Sequence, residues 1–321
     1  MYLVTGGSGF IGRHLLAKLC ALQLPVRCLG RGTARLEGVP AGVEMARADW
    51  STGEGIEAAL AGVDIVIHLA GVTKALAPAD YYEGNVRATE TLARLLAGRP
   101  IRLVHVSSLA AAGPGTDGKP LTEDSPPHPV SNYGRSKLEG ERRAAHWRPD
   151  AVIVRPPVVY GPRDTDVFQM LKSVAAGWSV EIGGGQRWVS AIYVEDLAEG
   201  LIAAAQTPAA AGRTYFLTHS KAVSWSELAA TAARLMGRRV RTVRIPPAVA
   251  RAAGFCAEMW SKLTRRPGIV SRDKVAEACY SAWTCDGSRA ERELGFRAAT
   301  SLEAGLAQTL AWYKEAGWLQ Y

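Results

Sequence analysis

The hydrophobic positions of this chain follow two rhythms. In the first half, the short apolar runs YLVT, VRCL, VEMA, DIVIHLA, IRLVHVSS and AVIVR are β-branched and nearly continuous rather than alternating. Runs of that kind predict parallel strands buried on both faces. Between them, Phe10 to Gln23, Asp80 to Leu96 and Asn132 to Trp147 carry apolar residues at helical spacing. Strand and helix taking turns predicts an α/β fold, a Rossmann-type doubly wound parallel sheet.

After Pro156 the rhythm loosens. Helical segments such as WSELAATAARLMG and SLEAGLAQTLAWYKEAGWL are separated by short strands. Residues 1–160 therefore read as the sheet domain. Residues 161–321 read as a smaller, mostly helical lobe whose strands can return to the main sheet. The longest aperiodic stretch is GPGTDGKPLTEDSPPHPVSN, and a loop of that length in a compact domain is usually functional. In the second half, Ile245, Val249, Ala252, Cys256, Met259, Trp260 and Leu263 form a helical stripe. Such a stripe is first read as packing into a core. A substrate lid is one alternative; the other is an interfacial helix over 245–263, with Trp260 and Lys262 placed as membrane-surface anchors.

Composition narrows the field. At 321 residues and 48% hydrophobic, the chain can bury a large core. No apolar run is long enough for a membrane-spanning helix. A strand starting at Tyr2 leaves no room for a leader segment, so a cytoplasmic location is expected. Five cysteines without a C-x-x-C pair suit reduced, mostly buried thiols. Six histidines without H-x-x-x-H spacing lead us to expect no metal site. The net charge of +8 comes from short scattered clusters such as GRRVRTVR and KLTRRPG, so no nucleic-acid partner is expected.

The strongest chemical signal lies in MYLVTGGSGFIGRHLL, where Gly6, Gly9 and Gly12 separate a strand from a helix. Gly6 permits the tight turn, Gly9 lets the backbone approach a pyrophosphate, and Gly12 lets the helix pack on the sheet. The helix starting near Phe10 and Ile11 then aims its unpaired N–H groups at the phosphates. A dinucleotide is the ligand this turn predicts. An acid at the end of the second strand would mark NAD, but the chain has Gly30 there, then Arg31, with Arg35 a turn later. A guanidinium suits a 2′-phosphate, which favours NADP over NAD.

Together with that spacing, HLAG at 68–71, VSS at 106–108, YGRSK at 133–137 and RPPVVYGPRD at 155–164 make the chain resemble the extended short-chain dehydrogenase/reductases. That family includes the NAD-dependent epimerases and dehydratases. The resemblance covers nearly the whole chain. It implies a catalytic trio of Ser108, Tyr133 and Lys137, with Lys137 also serving the nicotinamide ribose. Tyr133 and Lys137 lie one helical turn apart on a shared face. An ammonium beside the phenol is expected to pull its pKa from about 10 toward neutrality. Ser108 ends its strand, whereas Ser107 is out of phase and faces away. The resemblance further places Asp49 with Trp50 at the adenine, Leu69, Ala70 and Gly71 along the cofactor, and Asn85 near the phosphates. It puts Pro156 and Val159 beside the nicotinamide.

For the reaction, the resemblance has three branches to offer. Dehydratases commonly carry Asp-Glu after the catalytic hydroxyl, but Leu109 and Ala110 stand here. Nucleotide-sugar epimerases place a diphosphate-binding arginine where this chain has Val189, although Arg187 lies two residues away on the same strand face. The remaining likeness is to the 3β-hydroxysteroid dehydrogenase and dihydroflavonol reductase branch. It implies hydride transfer at a secondary alcohol or ketone on a largely apolar ring system. The alternatives are an epimerase and a non-catalytic NADP-binding sensor. A small-molecule substrate is implied in the first two. A homodimer through the Tyr133 helix and the Asp80 to Leu96 helix follows by analogy only.

Overall fold

The structure is a computed structural model that describes residues 1–30, 39–50, 52–115, 119–184, 186–265, 268 and 271–321. Arg31 and Arg35, on which the choice between NADP and NAD rests, lie outside the described residues. The first half supplies β1 (Tyr2–Thr5), β2 (Val26–Gly30), β3 (Glu44–Arg47), β4 (Ile65–His68), β5 (Arg102–Val106) and β6 (Val152–Val154). The second half adds β7 (Val158–Tyr160), β8 (Trp178–Ile182), β9 (Trp188–Val189), β10 (Ala191–Tyr193) and β11 (Thr214–Tyr215). It continues with β12 (Val223–Ser224), β13 (Arg241–Ile245) and β14 (Ala282–Trp283).

The main sheet runs β11-β6-β5-β4-β1-β2-β3, with every pairing parallel. Strand order reverses between β1 and β4, and crevices at such a switch point hold ligands. Continuous apolar strands need helices on both faces, and both are present. One face buries Leu15, Leu16 and Leu19 with Leu197 and Leu201, and the other buries Leu92, Leu96 and Ala144. The second half thus contributes both an edge strand, β11, and the helix Val194–Gln206 to the sheet body. The helices Val167–Ala175, Trp225–Leu235 and Leu302–Glu315 form a separate core around Leu171, Tyr193, Leu306 and Tyr313.

Three expectations need correction. The Asp80 to Leu96 helix is interrupted: Pro78–Tyr82 and Ala88–Leu96 are α-helical, but Glu83–Arg87 is a π-turn. The extra residue turns Asn85 inward, which apolar spacing cannot foretell. The stripe of 245–263 does lie on a helix, Pro247–Thr264, but it faces solvent. Val249, Met259, Trp260 and Leu263 are exposed, while Ala250 and Gly254 form the buried side. The cysteines are unpaired, but only Cys28 and Cys285 of the five are buried.

On either side of residues 116–118 the long loop is tied down, as a strap is. Gly115 N donates to the Ala282 carbonyl, Leu121 pairs with Cys285, and Ser131 ends the strap by capping the helix Asn132–Trp147.

Candidate active site

The glycine turn is built by contact. Gly6 adopts φ +70, and a side chain there would run into the Leu69–Ala70 backbone at 2.7–2.8 Å. A Cβ on Gly12 would stand 2.3 Å from the Gly6 carbonyl oxygen, so turn and helix are pressed together. Gly9 is different: its Cβ would meet only the Gly6 oxygen, at 3.2 Å, leaving the outer side of the turn open. The helix Phe10–Ala21 that follows has no side-chain cap and no acid in its first turn. Its N–H groups are therefore left for a ligand. Arg13 Nε donates to the Ser8 carbonyl (3.0 Å), and its buried Nη1 has no partner among the described residues. An open glycine, an uncapped helix and an orphaned guanidinium nitrogen together fit a diphosphate.

From this turn the site extends along the ends of β4 and β5. Leu69 N bonds the Thr5 carbonyl and Ala70 N bonds Thr5 Oγ1, so the backbone after β4 is fixed beside the turn. Asn85 Oδ1 accepts from Val72 N (2.7 Å), while Nδ2 donates to the Val72 carbonyl and Ser136 Oγ. Asn85 therefore ties that loop to the Tyr133 helix. A small cavity here is lined by Gly71, Asn85, Ser108, Lys137, Pro156 and Val159 among others. Asp49 is exposed on the turn after β3, and half-buried Trp50 leans on His68 at 5.7 Å.

Ser108, Tyr133 and Lys137 come together at the inner end of this cavity. Ser131 caps the helix by accepting from Gly134 N at 2.9 Å, which places Tyr133 in the first turn. The Tyr133 hydroxyl bonds Ser108, whose Oγ also accepts from Ala110 N. Ser107 points the other way, donating to the buried Glu141 that pairs with Arg155. Lys137 is only 5% exposed and gives its Nζ to the Val106 carbonyl at 2.8 Å.

This geometry overturns the expected acidity of Tyr133. Burial pushes the phenol up to about 12, against the lowering bond from Ser108, with further upward push from Glu277 and Asp166. Lys137 is held to a backbone carbonyl, and burial pulls its own pKa down to about 8. The phenol is therefore a proton donor at neutral pH, not a phenolate.

A larger cavity of about 580 Å³ opens from Ser108 and Tyr133. Its walls are mostly apolar, with Phe10, Leu109, Ile182, Trp188, Trp225 and Trp283 among them. Asp164, Asp166 and Glu277 also reach it, Asp164 being raised to about 6 by burial. Arg187 and Val189 both line it, but the Arg187 guanidinium is taken by the carbonyls of Ala278 and Tyr280. Sequence reasoning missed Arg13, although it directly follows Gly12 and so had a local signal. It also missed a clasp: Ser131 donates to Glu277 (2.6 Å), and Asp273 accepts from Asn132 N (2.9 Å). Residues that far apart in sequence left no signal to find.

Fold and site together define a dinucleotide-binding enzyme of the Rossmann type. The chain belongs to the NAD dependent epimerase/dehydratase family, whose sequence model matches residues 2–217. It is 30% identical to a ceramide reductase of Caulobacter vibrioides, over 98% of this chain and 95% of that protein. It is also 26% identical to the N-acetyl-alpha-D-glucosaminyl-diphospho-ditrans,octacis-undecaprenol 4-epimerase of Escherichia coli O157:H7, over 96% and 93%. The solved structure of MoeE5 in complex with UDP-glucose and NAD superposes with a TM-score of 0.77 at 26% identity, covering 98% of this chain and 99% of that one.

Proposed function

We propose that the chain is an NADPH-dependent reductase acting on a ketone carried by a largely apolar molecule. The cavity carries this reading: it begins at a proton-donating tyrosine and continues between aromatic and aliphatic walls. When bound, the cofactor supplies a hydride. Gly6, Gly9, Gly12 and Arg13 would hold its diphosphate, with Leu69, Ala70 and Gly71 alongside. Ser108 holds the substrate oxygen and Tyr133 gives it a proton, while Lys137, fixed on the Val106 carbonyl at the same cavity, would hold the nicotinamide ribose. Burial of the apolar body supplies affinity at about 25 cal/mol per Å².

The names of both relatives carry a lipid, and one is a reductase. They point to long chains as readily as to the ring system that the sequence resemblance implied. An epimerase that clamps a nucleoside diphosphate fits the cavity less well, because Arg187 is already engaged and three carboxylates face the space. The deciding experiment offers NADPH with long-chain ketones, sterol ketones and UDP-sugars in parallel and follows absorbance at the nicotinamide band. Net oxidation of NADPH with an apolar ketone is expected. Conversion of a UDP-sugar without net oxidation, and silence with every ketone, would transfer the case to the epimerase.

NADP is preferred because β2 ends at Gly30 with no acid to take a ribose 2′-hydroxyl, and Arg31 follows directly. Arg31→Ala should narrow the preference for NADPH over NADH by about 1–3 kcal/mol, the worth of a charge-assisted bond. Titration by nicotinamide fluorescence reads it. A ratio unchanged by the substitution removes Arg31 from the account.

A further inference from the structure

The helix Pro247–Thr264 is amphipathic in the wrong sense for a water-soluble surface. Its packed side is made of small residues, Ala250 and Gly254, with the Gly254 backbone lying close against the Val275 side chain. Its solvent side carries the large ones: Met259 is 50% exposed, Trp260 67% and Leu263 77%, with Val249 and Phe255 alongside. An ordinary surface helix does the reverse. A contiguous apolar face of this kind marks an interaction site.

Charge says what covers it. Residues 238–266 hold seven arginines and one lysine against a single acid, Glu258, so nearly all of the chain's net +8 sits here. The two basic clusters that looked scattered in the sequence flank this one helix. Arg251, Phe255 and Lys262 share an edge of the apolar face by their spacing, and Arg272 stands 5.7 Å over the Phe255 ring. The acids nearby are turned to other work. Glu258 pairs with Lys262, Glu181 with Arg244, Asp273 with Asn132 and Glu277 with Ser131. A second copy docking by the same face would bring like charge against like charge. Anionic headgroups complement it, each basic residue near such a surface adding to the attraction.

We infer that the helix Pro247–Thr264 seats this protein on an anionic phospholipid bilayer, with Val249, Met259, Trp260 and Leu263 among the acyl chains and the flanking arginines at the headgroups. The helix lies in the surface and does not cross it: no helix among the described residues is long and apolar enough to span a membrane. The seat adjoins the larger cavity. The helix packs on Arg272–Ala278, whose Lys274, Glu277 and Ala278 line that space. The ribbon leading into it pairs Val243 with Val180, and Val180 and Ile182 line the space too. Docking therefore brings one wall of the cavity to the lipid surface, where an apolar substrate resides.

The test uses the full chain and lipid vesicles, without turnover, so its outcome is independent of whether the reductase reading holds. The chain should co-sediment with vesicles of phosphatidylcholine mixed with phosphatidylglycerol, more weakly with phosphatidylcholine alone, and less as salt is raised. The variant Met259→Glu with Leu263→Glu should bind at least about tenfold more weakly, with an unchanged circular-dichroism spectrum and thermal midpoint as proof of folding. Tryptophan emission should shift to the blue on the mixed vesicles, and Trp260→Phe should lose most of that shift. No binding to the mixed vesicles, or binding indifferent to the double substitution, overturns the inference. A dimer that the double substitution dissolves, with no vesicle binding, overturns it in favour of a second copy of the chain.

Discussion

Tyr133→Phe should lower turnover by about 10²–10⁴-fold while leaving NADPH affinity within about twofold. The phenolic hydroxyl stands between Ser108 and the cavity, so its removal deletes the proton donor and nothing in the glycine turn. The ring itself stays anchored, since the cap at Ser131 and the packing of Tyr81 against it at 6.1 Å do not involve the hydroxyl. Folding stability should fall by no more than about 1 kcal/mol, the net worth of one hydrogen bond. Single-turnover oxidation of NADPH and a parallel binding titration separate the two effects. A phenylalanine variant that keeps most of its activity would require another proton donor. Asp164, raised to about 6 in the same cavity, would then be the first to examine.

The state of that phenol also bears on direction. Held near 12, it carries its proton throughout the neutral range, which suits delivery to a carbonyl better than removal from an alcohol. The sequence suggested the opposite state, because one-turn spacing puts Tyr133 and Lys137 on the same face and says nothing of where the amine points. In the folded chain Val106 offers its carbonyl at the strand end, and the ammonium goes there. Local spacing located the two residues; the burial that sets their acidity is a property of the whole site.

The same division runs through the fold. Parallel strands buried on both faces leave unbroken apolar runs, so β1, β2, β4, β5 and β6 stood out at nearly their observed bounds, whereas β3, expected to be buried too, is a partly exposed edge strand. The helix Asn132–Trp147 was legible to the residue because its apolar positions keep one period. The π-turn at Glu83–Arg87 was not, since one extra residue leaves composition untouched and shows only in the direction Asn85 faces. Periodicity likewise found the helix at 247–264 but not its orientation. A stripe of apolar residues has the same spacing whether it meets a core, a lid or a bilayer. The clasp of Asp273 and Glu277 on the Tyr133 helix joins residues far apart in sequence, and no local pattern announces it.

Lys137→Met should make the protein more stable at neutral pH and nearly inactive. The amine is buried, and burial pulls its pKa from 10.5 down to about 8 against the opposing pull of Glu141. The unfolded chain therefore holds more protons than the folded one between about pH 8 and 10.5, so stability should rise with pH across that window. Below it the buried ammonium is a standing cost, offset in part by its bond to the Val106 carbonyl. Methionine keeps the volume and removes the charge, leaving only that carbonyl short of a partner. We expect a net gain of about 1 kcal/mol at pH 7, with the rise toward alkaline pH flattened. Turnover should fall by about 10²-fold or more, because the nicotinamide ribose loses the ammonium that would fix it beside Tyr133. Urea midpoints at pH 7 and above pH 9, measured beside NADPH oxidation, read both halves. A methionine variant less stable than the parent at pH 7 would show that the ammonium is welcome where it sits. The stabilisation half of the argument would then fail, whatever happened to the rate.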